Sequence, residues 1–91
     1  MIYRVQIAPA AARQLRGLPR RDLERVDERI LSLAADPRPP GARHLEHDLY
    51  RIRVGRIRVV YTVGDEVRVV LIVAVADRKE VYRLLKRMGY L

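Results

Sequence analysis

Hydrophobic and polar residues alternate most regularly between residues 49 and 61 of this 91-residue chain, in the stretch LYRIRVGRIRVVY. The apolar positions are Tyr50, Ile52 and Val54 before a glycine, and Ile57, Val59 and Tyr61 after it. The polar positions between them include three arginines, Arg51, Arg53 and Arg58. Successive side chains of a strand point to opposite faces. The pattern therefore predicts two strands that reverse at Gly55, with one apolar face and one face that carries guanidinium groups.

The rest of the chain is punctuated by proline and glycine into further elements. Alternation predicts a strand over residues 2–8, and an apolar stripe predicts a helix that begins at Pro9 and ends at Gly17. A second helix has apolar residues at helical spacing and is closed by Pro37. Residues 36–41, DPRPPG, favour a loop. Residues 79–88 have the pattern of a short amphipathic helix.

Residues 66–76 predict a strand that is apolar on both faces beyond Arg68, so we expect it to lie inside a sheet or beneath helices. The element order is then βααβββα. This order predicts an α+β fold in which one domain, residues 1–91, has an antiparallel sheet. A helical hairpin packs on one face of the sheet, and the other face is partly open.

Composition indicates an anionic partner. The formal net charge is +8 and the pI is about 10.8, which favour attraction to nucleic acid or to an acidic protein. The chain has no cysteine and only two histidines, so neither thiolate chemistry nor a dedicated metal centre is expected. We expect no cofactor. No long apolar run or signal peptide is visible, so a cytoplasmic protein without a membrane partner is the prediction.

The residues that could carry chemistry are arginines on the two strands, followed by Arg78 and Tyr82. Arginine offers planar, permanently charged forks that match phosphate oxygens. A tyrosine among cations can take up or release a proton, since positive neighbours favour the phenolate. Together these groups could promote attack by a ribose 2′-hydroxyl on the adjacent phosphorus without a metal. Taken singly, each arginine could instead belong to a solvated sheet face, and Tyr82 to the edge of the core.

The stretch LYRIRVGRIRVVY, followed by a hydrophobic strand and then DRKEVY, resembles the RelE/ParE superfamily of toxins from toxin–antitoxin systems. Within it the chain is most similar to the RelE-type messenger-RNA endonucleases. The resemblance implies a RelE-like fold and a toxin that cleaves mRNA in the ribosomal A site. It also implies a cognate antitoxin, which we expect to bring an acidic segment. The alternative is a ParE-type toxin that inhibits DNA gyrase and has no nuclease activity.

The resemblance also implies roles for individual residues. The catalytic set is Arg58, Arg78 and Tyr82, and the RNA-binding set is Arg51, Arg53 and Arg56. Arg58 would orient and stabilise the scissile phosphate, Arg78 would act at the leaving 5′-oxygen or on the transition state, and Tyr82 would be the general base for the 2′-hydroxyl. The expected product is a 2′,3′-cyclic phosphate.

Two features depart from the RelE pattern. Prototypical members have lysines where this chain has Arg51 and Arg53, and arginine does not deprotonate in proteins, so neither can be a general base. Asp77 and Glu80 lie next to Arg78 in the sequence, and an ion pair with either would weaken its contact with phosphate. Some relatives use a glutamate and a histidine as the acid–base pair. His44, Glu46 and His47 are the candidates here, but a loop position predicts that they are surface polar residues.

Overall fold

The computed structural model describes residues 2–91, which form three helices and a five-stranded sheet. The elements in chain order are β1 (Arg4–Ile7), α1 (Pro9–Arg16), α2 (Arg20–Ser32), β2 (Arg43–His44), β3 (Leu49–Val54), β4 (Ile57–Gly64), β5 (Val69–Asp77) and α3 (Arg78–Arg87). The α+β class and the order of the main elements are confirmed. The two-residue strand β2 is added within the segment predicted as a loop, since it is too short to produce an alternating pattern.

The strands lie in the order β1-β5-β4-β3-β2. Neighbouring strands are antiparallel except β1 and β5, which pair in parallel from Arg4 opposite Val69 to Ile7 opposite Ile72. As predicted, β5 lies inside the sheet. The sheet is therefore mixed. The two helices carry the chain from β1 to β2 at the opposite edge, and three antiparallel steps bring β5 back beside β1 in the same direction.

The helical hairpin α1–α2 packs on one face of the sheet, as predicted. Its buried side chains, such as Ala11, Val26 and Ile30, join inward-facing residues of the strands in the larger hydrophobic cluster. On the opposite face α3 buries Val81 and Leu85 in a smaller cluster. Because α3 covers only part of that face, the remainder is left for the polar residues of β3 and β4.

Two boundaries differ from the sequence prediction. Residues 66–68 belong to a four-residue turn after β4 and not to β5. Val67 is 71% exposed there, and Arg68 has a φ of 58°, which directs its carbonyl to accept the backbone N–H of Arg4. The predicted start of β5 at residue 66 was therefore wrong, because the apolar Val67 was assigned to the strand although it lies in the turn. Helix α2 ends at Ser32, before the proline that was expected to close it, and residues 33–35 form a turn.

One side chain replaces a missing strand at the β1 edge. Strand β1 ends at Ile7, so β5 continues beyond its partner. There Gln14 of α1 accepts the backbone N–H of Val75 through Oε1 at 2.7 Å. This contact satisfies a buried backbone donor and fixes α1 against the strand that leads into α3.

The proline-rich loop is fixed to the sheet by a polar network on Arg38. Its guanidinium forms a double contact with Asp65, at 2.8 and 3.1 Å, and donates to the hydroxyl of Tyr50 at 3.0 Å. Hydrogen bonds from Arg38 and from the Tyr3 hydroxyl lower the pKa of Asp65 to about 2. The loop is therefore fixed to β3 and to the turn after β4 despite its composition.

Candidate functional site

The register of β3 and β4 places three arginines on one face of the sheet. Arg53 lies opposite Arg58, and Arg51 lies two residues earlier on β3. Residues directly opposite in an antiparallel pair, and alternate residues along one strand, point to the same side. The predicted arginine face is therefore present, on the side of the sheet away from α1 and α2.

Helix α3 brings the remaining predicted residues to the same place. Arg78 is its first residue and Tyr82 lies four residues on, one turn later and on the same side of the helix. Both line a hollow of about 230 Å³ whose other walls are Arg43, Arg51, Arg53 and Arg58. We call the side chains of Arg51, Arg53, Arg58, Arg78 and Tyr82 the basic face. All five were selected from the sequence, and the structure brings all five together.

The arginines of the basic face repel one another, and the effect is seen in the pKa of Arg58. The pKa of Arg58 is lowered, first because burial removes water from its guanidinium and then because Arg53, Arg51 and Arg78 are cationic neighbours. Tyr82 acts in the opposite sense on the same group. Among residues 2–91, the one hydrogen bond of the Arg58 guanidinium is a long contact, 3.4 Å, to the carbonyl of Arg56. Most of its N–H groups are therefore available to an anion.

Arg51 is unusual because it is charged and almost fully buried, with 7% of its surface exposed. Its Nε has no hydrogen-bond partner among the described residues. Buried donors are nearly always paired, and an unpaired one costs stability. An unpaired buried donor that lines a cationic hollow is the arrangement expected where an anionic ligand completes the hydrogen bonding.

The neighbouring carboxylates do not neutralise the basic face. Asp77 accepts the backbone N–H of Glu80 at 2.9 Å and caps the N-terminus of α3. Glu80 pairs with Arg83 at 3.3 Å. Across residues 2–91, no carboxylate lies within ion-pair distance of Arg51, Arg53, Arg58 or Arg78. The concern raised by their closeness to Arg78 in the sequence is thus answered by the local geometry of the helix start.

Tyr82 is also part of the core edge. It is half-buried and packs against the smaller hydrophobic cluster, beside the buried Val81. Tyr82 is therefore both a residue at the edge of the core and a residue of the basic face, since it packs against the smaller cluster and also lines the hollow.

Two sets of predicted or considered residues lie elsewhere. Arg56 does not line the hollow; its guanidinium contacts the carboxylate of Asp22 at 3.0 Å, on the side of α2. Arg56 lies in the turn between β3 and β4 and not on a strand. The alternation of strand side chains therefore does not predict which way it points. His44 stacks on Tyr50 with the ring centres 5.0 Å apart, and its Nε2 contacts the carbonyl of His47.

Sequence reasoning missed Arg43. It lies on β2 directly opposite Arg51 and lines the hollow of the basic face. It also lines a second, larger hollow of about 650 Å³ together with Arg29, His44, Arg51 and Arg53. A strand of two residues leaves no periodic signal, and only the pairing with β3 shows which way Arg43 faces.

Within residues 2–91, no group of three or more histidine, aspartate or glutamate side chains is arranged to hold a metal ion. None of the helices described for this chain has the length and apolar character needed to cross a membrane.

Comparison with known proteins supports the resemblance seen in the sequence. Residues 5–82 match the family model described as ParE toxin of type II toxin–antitoxin system, parDE. The RelE1 protein of Methanocaldococcus jannaschii is 27% identical over 88 residues, which cover 91% of this chain and 98% of that protein.

Solved structures agree with this assignment. A mutant of the Escherichia coli toxin RelE in the free state superimposes with a TM-score of 0.80 at 26% identity, over 97% of this chain and 99% of that one. The archaeal RelE–RelB complex from Pyrococcus horikoshii OT3 contains a chain that is 30% identical, with a TM-score of 0.74, over 86% of this chain and 97% of that one. This chain therefore belongs to the RelE/ParE superfamily, as a toxin of a RelBE-type type II toxin–antitoxin system.

Proposed function

We propose that this toxin is a metal-independent endoribonuclease that cleaves messenger RNA in the ribosomal A site and so inhibits translation in the cytoplasm. The observation that carries the proposal is the single hollow in which Tyr82 lies among five arginines that form no ion pair with any carboxylate of residues 2–91. A site that only binds phosphate has no need of a phenol. A site that moves a proton next to a phosphate needs such a group beside its cations.

In the proposed reaction, Tyr82 accepts the proton of the 2′-hydroxyl as that oxygen attacks the adjacent phosphorus. The new O2′–P bond forms while the P–O5′ bond breaks, which leaves a 2′,3′-cyclic phosphate on one product. Arg58 donates to the non-bridging oxygens, where negative charge increases in the transition state. Tyr82 accepts this proton as the phenolate, and the phenol that results gives the proton up to water before the next turnover.

Arg78 is proposed to act on the leaving group. From the first turn of α3 its guanidinium can donate hydrogen bonds to the departing 5′-oxygen and stabilise its charge. Because arginine does not deprotonate in proteins, the proton that this oxygen finally gains comes from water. Arg51 and Arg53 hold the phosphate in the hollow through their positive charge.

The partner that controls this activity is proposed to be a cognate antitoxin whose acidic segment covers the basic face. The archaeal relative was solved as a RelE–RelB complex. Complementary charge on such a segment would speed its association with a surface of this net charge. Expression of the toxin without the antitoxin should arrest growth, because the basic face is then free.

The test uses purified protein, translating ribosomes and a defined messenger RNA, with product ends mapped. The unaltered protein should produce new RNA ends that carry a 2′,3′-cyclic phosphate. Tyr82→Phe should lower the rate by about 10²–10⁴-fold, and Arg58→Ala by about 10²–10³-fold. Lys86→Ala on the last turn of α3 is the matched control for a change in that helix and should cleave normally.

The alternative is inhibition of DNA gyrase without nuclease activity, which the ParE description of the matching family model favours. A supercoiling assay with purified gyrase distinguishes the two. If Tyr82→Phe and Arg78→Ala remain fully toxic while messenger RNA stays intact, the nuclease proposal is wrong. Inhibited supercoiling in the same samples would then support the gyrase function.

A further inference from the structure

A second basic hollow adjoins the basic face at the β2 edge of the sheet. It measures about 650 Å³, and its lining includes the guanidinium-bearing residues Arg29 and Arg43 together with Arg51 and Arg53. Its other lining residues are Gly41, Ala42 and His44, so no carboxylate side chain lies on its wall. Neither Arg29 nor Arg43 forms an ion pair with any carboxylate of residues 2–91. The hollow therefore carries concentrated positive charge that the folded chain does not balance.

The two hollows are continuous. Arg43, Arg51 and Arg53 line both of them. Arg51 is the buried member, and its Nε has no hydrogen-bond partner among the described residues. Cross-strand pairing places Arg43 directly opposite Arg51, so two like charges are held side by side. Like charges at such positions are destabilising unless an anion is present, which indicates a ligand and not a role in folding.

The separation of Arg43 from Arg58 suits two phosphates of one strand that lie a few nucleotides apart. Strand β2 is separated from β4 by β3 alone, and neighbouring strands lie about 4.8 Å apart. Arg43 is level with Val60 of β4, and Arg58 lies two residues along that strand, so Arg43 and Arg58 start roughly 12 Å apart at the backbone. A stacked nucleic-acid strand advances roughly 3.4 Å per nucleotide, so a short run of nucleotides spans that separation.

His44 is not the group that binds the ligand in this hollow. Its Nε2 already contacts the carbonyl of His47, and its ring lies against Tyr50. His44 therefore only lines the hollow. The positive charge that binds an anion there comes from Arg29 on α2 and Arg43 on β2. Arg29 belongs to α2, which packs on the other face of the sheet. The row of arginines that begins on the basic face therefore continues around the β2 edge to α2.

We propose that Arg43 and Arg29 form a second phosphate subsite, which binds a phosphodiester of the same RNA strand a few nucleotides from the one held at Arg58. The proposal deepens the proposed function, since it rests on single-stranded RNA as the ligand of the basic face. The subsite holds the strand in register and takes no part in bond cleavage. Its ligand chemistry is the RNA backbone, so it is independent of base sequence.

The test compares the binding of two uncleavable 2′-O-methyl RNAs, a dinucleotide with one phosphodiester and a hexanucleotide with five. The variants are Arg43→Ala and Arg29→Ala. Arg4→Ala on β1, at the opposite edge of the sheet, is the control that removes the same charge. Folding of each variant is checked by circular dichroism and thermal melting.

Each subsite variant should weaken binding of the hexanucleotide by about five-fold at about 0.1 M salt. This figure follows from a salt slope of roughly 0.7 per neutralised phosphate on a single strand. The salt slope itself should fall by about 0.7. Arg29 lines only the second hollow, so Arg29→Ala should leave binding of the dinucleotide within the change that Arg4→Ala produces. Arg43 lines both hollows, so Arg43→Ala should weaken binding of the dinucleotide less than binding of the hexanucleotide.

Equal effects of Arg43→Ala, Arg29→Ala and Arg4→Ala on the hexanucleotide would overturn the subsite. Equal loss for the dinucleotide and the hexanucleotide in Arg29→Ala would also overturn it, because Arg29 would then act on the first phosphate site. Absence of any RNA binding by the unaltered protein would overturn both the subsite and the RNA-binding face. If RNA binds with the expected length dependence but is never cleaved on ribosomes, the proposed nuclease is wrong and the subsite stands.

Discussion

Replacement of Arg51 by methionine should make the protein more stable and weaker in RNA binding. Methionine keeps an unbranched, flexible side chain of similar length and removes both the charge and the buried Nε–H. Because Arg51 is 7% exposed and its Nε lacks a partner, the folded protein carries the cost of an unmet donor at this position. Arg51→Met removes the whole guanidinium, so the free-energy cost of the unpaired Nε–H is removed with it.

The expected gain follows from two contributions. An unsatisfied buried donor costs about 1–3 kcal/mol, and the like-charge neighbour Arg43, directly opposite on β2, adds roughly 0.2–1 kcal/mol. Loss of favourable contacts of the guanidinium offsets part of this sum. We expect Arg51→Met to raise the free energy of unfolding by about 1–3 kcal/mol. For a domain of this size the melting temperature should rise by about 4 °C or more.

The assay is urea unfolding at pH 7 combined with binding of single-stranded RNA. Arg53→Met is the matched control, since it removes the same charge from the same strand and face but from an exposed side chain that also lies opposite an arginine. Its unfolding free energy should change by less than about 1 kcal/mol. Both variants should lose RNA affinity, so stability and binding change together only at Arg51.

A drop of more than about 1 kcal/mol in the stability of Arg51→Met would refute this reasoning, since it would show that the arginine supports the fold. An equal gain in both variants would attribute the effect to general charge repulsion and not to the buried donor. In that case added salt should stabilise the unaltered protein by a similar amount, because screening acts on the same repulsion.

Three further predictions concern the contacts that position the site. Gln14→Ala leaves the backbone N–H of Val75 unpaired and should lower the unfolding free energy by about 1–3 kcal/mol. Because the pKa of Asp65 is lowered to about 2 beside Arg38, its stabilising effect is complete above about pH 4, and acid unfolding should remove it as pH falls through about 2. Asp77→Ala removes the cap of α3 and should cost about 0.5–2 kcal/mol.

Each of these predictions has its own control. Gln14→Glu keeps an acceptor oxygen at the end of a side chain of the same length, so it should retain more stability than Gln14→Ala; equal losses would contradict the assigned hydrogen bond. Asp65→Asn should flatten the acid limb of stability against pH, and an unchanged limb would contradict the pKa argument. Asp77→Asn should largely restore the cap. An unaltered stability of Asp77→Ala in chemical unfolding would show that the cap contributes little.

The basic face could be predicted because regular alternation has a geometric meaning. Once Arg51, Arg53 and Arg58 are assigned to two antiparallel strands joined at Gly55, their common side follows from the pleat. The convergence of Arg78 and Tyr82 with them required more. It depends on α3 folding back over the face opposite the helical hairpin, and the resemblance to a known family supplied that arrangement.

Other features could not be read from the sequence because they depend on tertiary pairing. Arg43 faces the site because β2 pairs with β3 in the register that places it opposite Arg51. Arg56 leaves the site because the turn directs it toward Asp22. Val67 has strand-like character and still lies in a turn, since the positive φ of Arg68 sets where β5 begins. Local pattern carries no information about any of these partners.

The parallel pairing of β1 with β5 has a consequence for how the toxin folds. Strands β3, β4 and β5 are sequential neighbours and can pair as soon as each follows the last, whereas β1 must wait for β5 to be synthesised. Closing so long a loop is entropically costly, so we expect β1 and the helical hairpin to dock late. Tyr82 follows β5 in the chain. A nascent toxin therefore has no complete basic face until nearly all of the described sequence has been made, which separates its synthesis on a ribosome from its activity.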